Sequence, residues 1–181
     1  VYMSIGLMRG TVAVEPHKIE WEIAAREMIE RLKNILMDDI VDAQHIGSTS
    51  IKSICAKPIV DIVVGVNSFD SMMRHNDELR TNGIVYCCED HPGQHLYVVG
   101  DLEKNMHTHY IHVVIWGQKI WHNYINMRDY LNTHEEEAKE YSDLKERLAK
   151  AYPKERIAYT DGKSALIERI LQMADEWRKQ L

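Results

Sequence analysis

Apolar residues recur along this chain with two different periods, and the change of period divides it. Ile19, Ile23, Arg26, Ile29, Leu32 and Leu36 follow a helical spacing. They predict a helix that opens at Glu15-Pro16, where proline's missing N–H costs nothing, and that buries this stripe. Residues 10–14 predict a short extended lead-in. Residues 41–46 predict a short strand, and residues 59–66 form a nearly continuous β-branched run of the kind buried on both sheet faces. Ser68 predicts the cap of a helix closing at Gly83. Three further strands are predicted over 84–88, 95–99 and 108–116.

The period then turns helical to the end of the chain. A short amphipathic helix is predicted over 121–131. Thr133-His134-Glu135-Glu136 matches a capping box, with Glu135, Glu136 and Glu137 in a dipole-favoured, solvated first turn. Ala138, Tyr141, Leu144 and Leu148 line one face of the helix that follows, which ends before Pro153. Thr160-Asp161 predicts the cap of a last helix with Ile167, Ile170, Leu171, Ala174 and Trp177 pointing inward. Helix, strand, strand, helix, then strands and helices make an α+β class with a mixed sheet. The length of 181 residues fits one domain over 1–181, its helical C-terminal part beginning at about residue 120.

Composition narrows the function. A net charge of −6 argues against a general nucleic-acid binder or a protein of anionic membrane surfaces, while leaving room for a local basic pocket. No apolar run reaches the roughly 18 residues of a membrane span. Residues 1–14 carry no basic segment followed by an apolar core, which predicts no signal peptide. Cys55, Cys87 and Cys88 are an odd set with one adjacent pair, which predicts reduced thiols in a cytoplasmic protein. Exposed Trp and Tyr on the C-terminal helices would suit a homodimer.

The chemistry concentrates where a strand gives way to His45-Ile46-Gly47-Ser48-Thr49-Ser50, followed by Ala56-Lys57-Pro58-Ile59-Val60-Asp61-Ile62. A Gly-Ser turn offers backbone N–H groups and hydroxyls to an anion, with no Cβ in the way. Gly47, Ser48, Thr49 and Ser50 are therefore candidate phosphate ligands, with Lys57 supplying charge. Asp61 lies inside an apolar strand, where a carboxylate needs a metal, a cation or several donors. It is the candidate holder of a divalent ion. Strand alternation puts Thr108, Tyr110, His112 and Val114 on one face, and His109, Ile111 and Val113 on the other. Imidazole binds divalent metals well, so Asp61 and His112 with one of His45, His95 or Glu89 are candidates for a single-metal site. Magnesium or manganese would suit the oxygen ligands and zinc the imidazoles. His91, His107, His122 and His134 are expected at the surface. Cys55 has no base nearby in sequence, and no nucleophile elbow surrounds Ser48.

These segments resemble the GrpB family of the nucleotidyltransferase superfamily. The resemblance extends through residues 14–21, Ile111-His112-Val113-Val114, Met127-Arg128-Asp129-Tyr130-Leu131, residues 138–148 and Tyr159-Thr160-Asp161-Gly162-Lys163. It implies a small mixed sheet flanked by helices, and makes Arg128 and Lys163 candidate phosphate ligands. An Arg128 salt bridge to a neighbouring Asp is the structural alternative. Fusion of some family members to the last kinase of coenzyme A synthesis points to phosphorylated small molecules.

Two departures from the family pattern matter. Asp61-Ile62-Val63 lacks the second acid of the superfamily's metal pair. Lys52-Ser53 stands where a Pro-Gly pair is usual, adding a positive charge near the turn. Three readings follow. One is nucleotidyl or phosphoryl transfer, with Asp61 and His112 catalytic. Another is a non-catalytic module for a nucleotide or coenzyme A precursor, favoured if neither Glu89 nor Asp90 reaches Asp61. The third is metal-dependent hydrolysis by converging His112, His109 and His95.

Overall fold

The β-branched run forms an interior strand of a six-stranded sheet. In the computed structural model, residues 5–181 are described, so residues 1–4 of the leading segment lie outside the described residues. The strands are β1 (Leu7–Met8), β2 (Ile40–Ile46), β3 (Val60–Val66), β4 (Ile84–His91), β5 (Gln94–Asp101) and β6 (Met106–Ile115). Their order is β2-β3-β6-β5-β4, with β1 beside the first residues of β6. Only β3 and β6 run parallel, Asp61 opposite Tyr110 and Val63 opposite His112. The other pairs are antiparallel, so the sheet is mixed as the pattern predicts.

The helices are α1 (Ile19–Leu36), α2 (Phe69–Met73), α3 (Asn76–Thr81), α4 (Lys119–Thr133), α5 (Glu135–Ala151) and α6 (Arg156–Lys179). On one sheet face α1 buries Trp21, Ala24, Ala25, Met28 and Leu32 against Ile62, Val64, Ile111 and Val113, with Met72 and Leu79 of α2 and α3 beside them. On the other face Ile46, Val63 and Val114 pack on Trp121 of α4. A further core joins α4, α5 and α6 through Tyr130, Leu131, Ala138, Tyr141, Ile170 and Ala174. Among the described residues, no helix is long and apolar enough to cross a membrane.

Several local expectations are corrected. Glu15 exchanges backbone hydrogen bonds with Ala56, so the chain stays extended past Pro16 and α1 starts only at Ile19. Leu32 and Leu36 are buried as predicted, but over the first turns the buried residues are Trp21, Ala24, Ala25 and Met28, and Ile19 is 58% exposed. The helix predicted from Ser68 to Gly83 breaks at Arg74–His75, where the His75 ring bonds Asp39 at 2.8 Å, although Ser68 does cap its first turn. Thr133 makes no capping box; its hydroxyl donates backward to the Asp129 and Tyr130 carbonyls, closing α4. The last helix starts four residues before Thr160, after the turn at Pro153. His134 is stacked on Tyr130, 3.8 Å between ring centroids, and His107 bonds the Tyr110 phenol, so neither is free at the surface.

Two contacts set how α6 lies. Gly162 meets α5 so closely that a Cβ there would stand 2.6 Å from Leu148 Cδ2. At the far end Arg178 donates through Nε to Asn126 and pairs with the Asp129 carboxylate, both on α4.

Candidate anion-binding site

Between the second sheet face and the α4–α6 bundle lies a cavity of about 340 Å3, a size typical of small-molecule sites. Gly47, Ser48, Lys57, Asp61, His112, Arg128 and Lys163 all line it. Residues from a turn, two strands and two helices thus meet in one place, although 116 sequence positions separate Gly47 from Lys163.

The floor is built by strand register. Asp61 and His112 project from neighbouring parallel strands to the same face, and His112 Nε2 lies 2.9 Å from Asp61 Oδ1. Across the ring, Nδ1 faces Gln94 Nε2 at 3.4 Å, while Gln94 Nε2 also reaches both Asp90 oxygens at 3.1 Å. An amide NH2 only donates, so His112 Nδ1 accepts and its ring proton sits on Nε2, donated to Asp61. Tyr124 completes the chain by donating to Gln94 Oε1 at 2.7 Å. Burial and the Asp61 charge raise the Tyr124 phenol, so it stays a donor.

Gly47 closes over this floor. Its backbone (φ 70°, ψ −170°) falls in a region open essentially to glycine alone. A Cβ would stand 2.8 Å from Asp61 Oδ2. The Gly-Ser turn therefore serves to bring bare backbone onto the carboxylate. Ser48 lines the cavity and bonds the buried Tyr141 phenol. Thr49 and Ser50 do not line it. Thr49 Oγ1 lies 2.8 Å from His45 Nε2, and the Ser50 hydroxyl donates back to the Gly47 carbonyl.

The opposite wall carries the charge. Arg156, Tyr159, Thr160, Lys163 and Ile167 occupy one stripe of α6 at spacings of three and four, and all face the cavity. The Lys163 ammonium sits 4.4 Å above the Tyr159 ring, the Lys57 ammonium 5.5 Å from the same ring, and the Arg156 guanidinium 5.5 Å from the Tyr110 ring. Burial lowers both lysines, Lys163 to about 8, helped by repulsion from Lys57 and Arg156 on Lys163 and from Arg156 on Lys57. Asp61 pulls the other way on each, yet its hydrogen bond goes to His112. Arg128 lines the cavity with its nitrogens engaged: Nε and Nη2 on Asp129, and Nη1 on Gln44 Oε1 and the His45 carbonyl. Lys52 is exposed, its backbone N–H held by Asn132, and it adds no charge to the cavity.

Lys145, absent from the sequence-based candidates, lies behind this wall. It is 1% exposed. Its ammonium donates to the Cys55 carbonyl and stands 4.6 Å from the Tyr141 ring; burial lowers it to about 7. Ser142 Oγ accepts from the Cys55 N–H at 3.0 Å. Together they fix the segment that carries Lys57.

A third metal donor does not join Asp61 and His112: among the described residues no three His, Cys, Asp or Glu side chains gather in metal range. His45 projects to the α1 side, where burial lowers it to about 4. His95 packs on Phe69 and bonds Tyr86, on the face opposite His112. His109 shares that opposite face, bonded to Thr108, so the three histidines of the hydrolase reading do not converge. Glu89 is turned to the Gly93 N–H, and Asp90 reaches Asp61 only through Gln94 and His112.

A mixed sheet with these flanking helices is a nucleotidyltransferase-like fold. Cid1 poly(U) polymerase shares it with a TM-score of 0.51 and 14% identity, over 76% of this chain and 43% of that one. The chain itself belongs to the GrpB family, whose model, described as GrpB protein, matches residues 11–173. It is 35% identical over 170 residues to the Glutamate-rich protein GrpB of Alkalihalophilus pseudofirmus, covering 92% of this chain and 98% of that one. UPF0157 protein YqkA of Bacillus subtilis is 32% identical, over 88% of this chain and 46% of its own length. The crystal structure of GrpB from Enterococcus faecalis superposes with a TM-score of 0.84 at 28% identity, over 91% and 99% of the two chains.

Proposed function

We propose that this cavity binds a nucleotide, or another phosphorylated small molecule such as a coenzyme A precursor, through its phosphates. The observation that carries the reading is the convergence of Lys57, Lys163 and Arg156 on aromatic rings, with Asp61, the carboxylate nearest the lysines, bonded instead to His112. Half-buried cations that repel one another gain most from a multiply charged anion. Ser48 and the bare Gly47 backbone add neutral donors beside them. Tyr110, Tyr124, Tyr141 and Tyr159 supply apolar walls with polar tips for the rest of the ligand.

Among the described residues no three His, Cys, Asp or Glu side chains gather around Asp61, and Val63 stands where the superfamily's second acid would be, so the residues present do not fit a two-metal centre. A single carboxylate suits a magnesium ion that arrives on the ligand's own phosphates and keeps several waters. With neither Glu89 nor Asp90 reaching Asp61, simple binding is the first reading and nucleotidyl or phosphoryl transfer the second. Cid1, which shares the fold, is described with Mg 3′-dATP bound. In this second reading Asp61 would hold the metal, which would supply charge neutralisation at the phosphates; the α6 cations would neutralise further charge, and His112, itself oriented by Gln94, would keep the carboxylate in place.

Calorimetric titration with ATP, inorganic pyrophosphate, coenzyme A and dephospho-coenzyme A, each with and without magnesium, tests both. Binding of at least one member is expected, weakened tenfold or more in Lys57→Met and Lys163→Met. Absence of binding across the panel, or binding indifferent to both substitutions, overturns the reading. Turnover that requires magnesium and is lost in Asp61→Asn would favour transfer over simple binding.

A further inference from the structure

Cys87 and Cys88 lie on β4, the strand that ends the sheet order, far in the fold from the basic wall of α6. Consecutive residues of a regular strand point to opposite faces. Here the pairing slips: Tyr86 faces Tyr97 and Cys88 faces Leu96, which leaves Cys87 as an extra residue with no partner across the ladder. Such a bulge re-aims the side chains around it. Its result is that both thiols come to one side, with Sγ atoms 3.5 Å apart and both residues exposed. The Cys88 thiol donates to Cys87, and that shared proton raises Cys88 above the ordinary thiol range. The pair is therefore held as neighbouring thiols rather than as a reactive thiolate.

We propose that Cys87 and Cys88 form a bidentate site for a soft, thiophilic centre that needs only two protein sulfurs, namely a monosubstituted trivalent arsenical. A spacing of 3.5 Å is the chord of two bonds of about 2.3 Å, the usual length to thiolate, meeting at roughly 99°. A trivalent atom with a lone pair takes angles somewhat below tetrahedral, so it drops between the sulfurs with little movement. Structural zinc asks for four ligands, and no third His, Cys, Asp or Glu joins the pair among the described residues. The reaction is a condensation: R–As=O and two Cys–SH give R–As(S–Cys)2 and water. Two S–H bonds and the As=O bond break, two As–S and two O–H bonds form, the oxygen leaves as water with both protons, and arsenic keeps its oxidation state. No oxidant is needed.

Intact-mass measurement after equimolar phenylarsine oxide tests the site. The native protein is expected to gain one phenylarsenic unit with loss of water, to keep it in excess 2-mercaptoethanol, and to release it to 2,3-dimercaptopropanol. Cys55→Ser should behave as the native chain. Cys87→Ser and Cys88→Ser should each lose the monothiol-resistant adduct, at unchanged melting temperature because both side chains are exposed. An adduct that 2-mercaptoethanol strips from the native protein, or one that survives in either single variant, overturns the assignment.

Discussion

Replacing Lys145 by methionine should make the protein more stable at neutral pH and remove part of its pH dependence. The lysine is lowered from 10.5 to about 7 by burial. The sign follows from proton counts. Between about pH 7 and 10.5 the unfolded chain holds the proton on this amine and the folded chain does not, so native stability rises with pH across that window. Below it both states are protonated, and the full cost of burying the charge is present, roughly 5 kcal/mol for a shift of this size. At pH 7.5 about 4 kcal/mol of that cost remains. Methionine fills a similar volume without charge, but it leaves the Cys55 carbonyl without the donor that Lys145 supplies, at a cost of about 1–3 kcal/mol. The variant should therefore exceed the native chain by about 1–3 kcal/mol at pH 7.5. By pH 9.5 that advantage should shrink by roughly 2–3 kcal/mol, to near zero or below. Urea unfolding of both proteins at the two pH values measures it. Parallel pH profiles, with a constant difference between the proteins, would refute the account of Lys145 as a buried and readily neutralised amine.

Gly47→Ala should cost about 1–3 kcal/mol from backbone strain and weaken phosphate binding, since its Cβ would displace the Asp61 carboxylate; denaturation and titration calorimetry check the two effects. Asp61→Asn should strengthen metal-free phosphate binding by removing the negative charge facing Lys57 and Lys163, while abolishing any increment from magnesium. Affinity measured with and without the ion separates these. Lys163, at about 8 in the free protein, is charged below that pH and neutral above it. Phosphate affinity should fall from pH 8 to 10 in the native chain and less steeply in Lys163→Arg.

How far the sequence could be read depended on whether a residue's role was local. The β-branched run at 59–66 fixes its own burial, and strand alternation alone put His112 and His109 on opposite faces, while the parallel register with β3 decided that His112 shares the face of Asp61. Helix α1 offered two stripes at equal spacing. The isoleucine stripe looked more apolar, but Ala24 and Ala25 let the helix approach the sheet, a demand of packing that hydrophobicity does not encode. Thr160-Asp161 imitates an N-cap, and taking it as one hid the first turn of α6. Begun at Arg156, the same helix displays Arg156, Tyr159 and Lys163 on one stripe, a signal available in the spacing. Lys145 gave no such sign, because a lysine on an amphipathic helix is ordinarily solvated. Its burial goes with a contact to the Cys55 carbonyl, far away in sequence.

The placing of Arg156 and Lys163 on a single unbroken helix, pressed on Leu148 at Gly162 and tied by Arg178 to α4, makes that helix a lever of unequal arms. Arg156 lies about 9 Å from Gly162 and Arg178 about 24 Å on the other side, at the ordinary helical rise. A tilt of about 5° would move the cations by less than 1 Å but carry Arg178 by about 2 Å, enough to part it from Asp129. Widening the gap between the charged wall and Asp61 is thus resisted at the far end, where the motion is largest. The spacing that a phosphate chain would meet is gauged by an ion pair that never touches it.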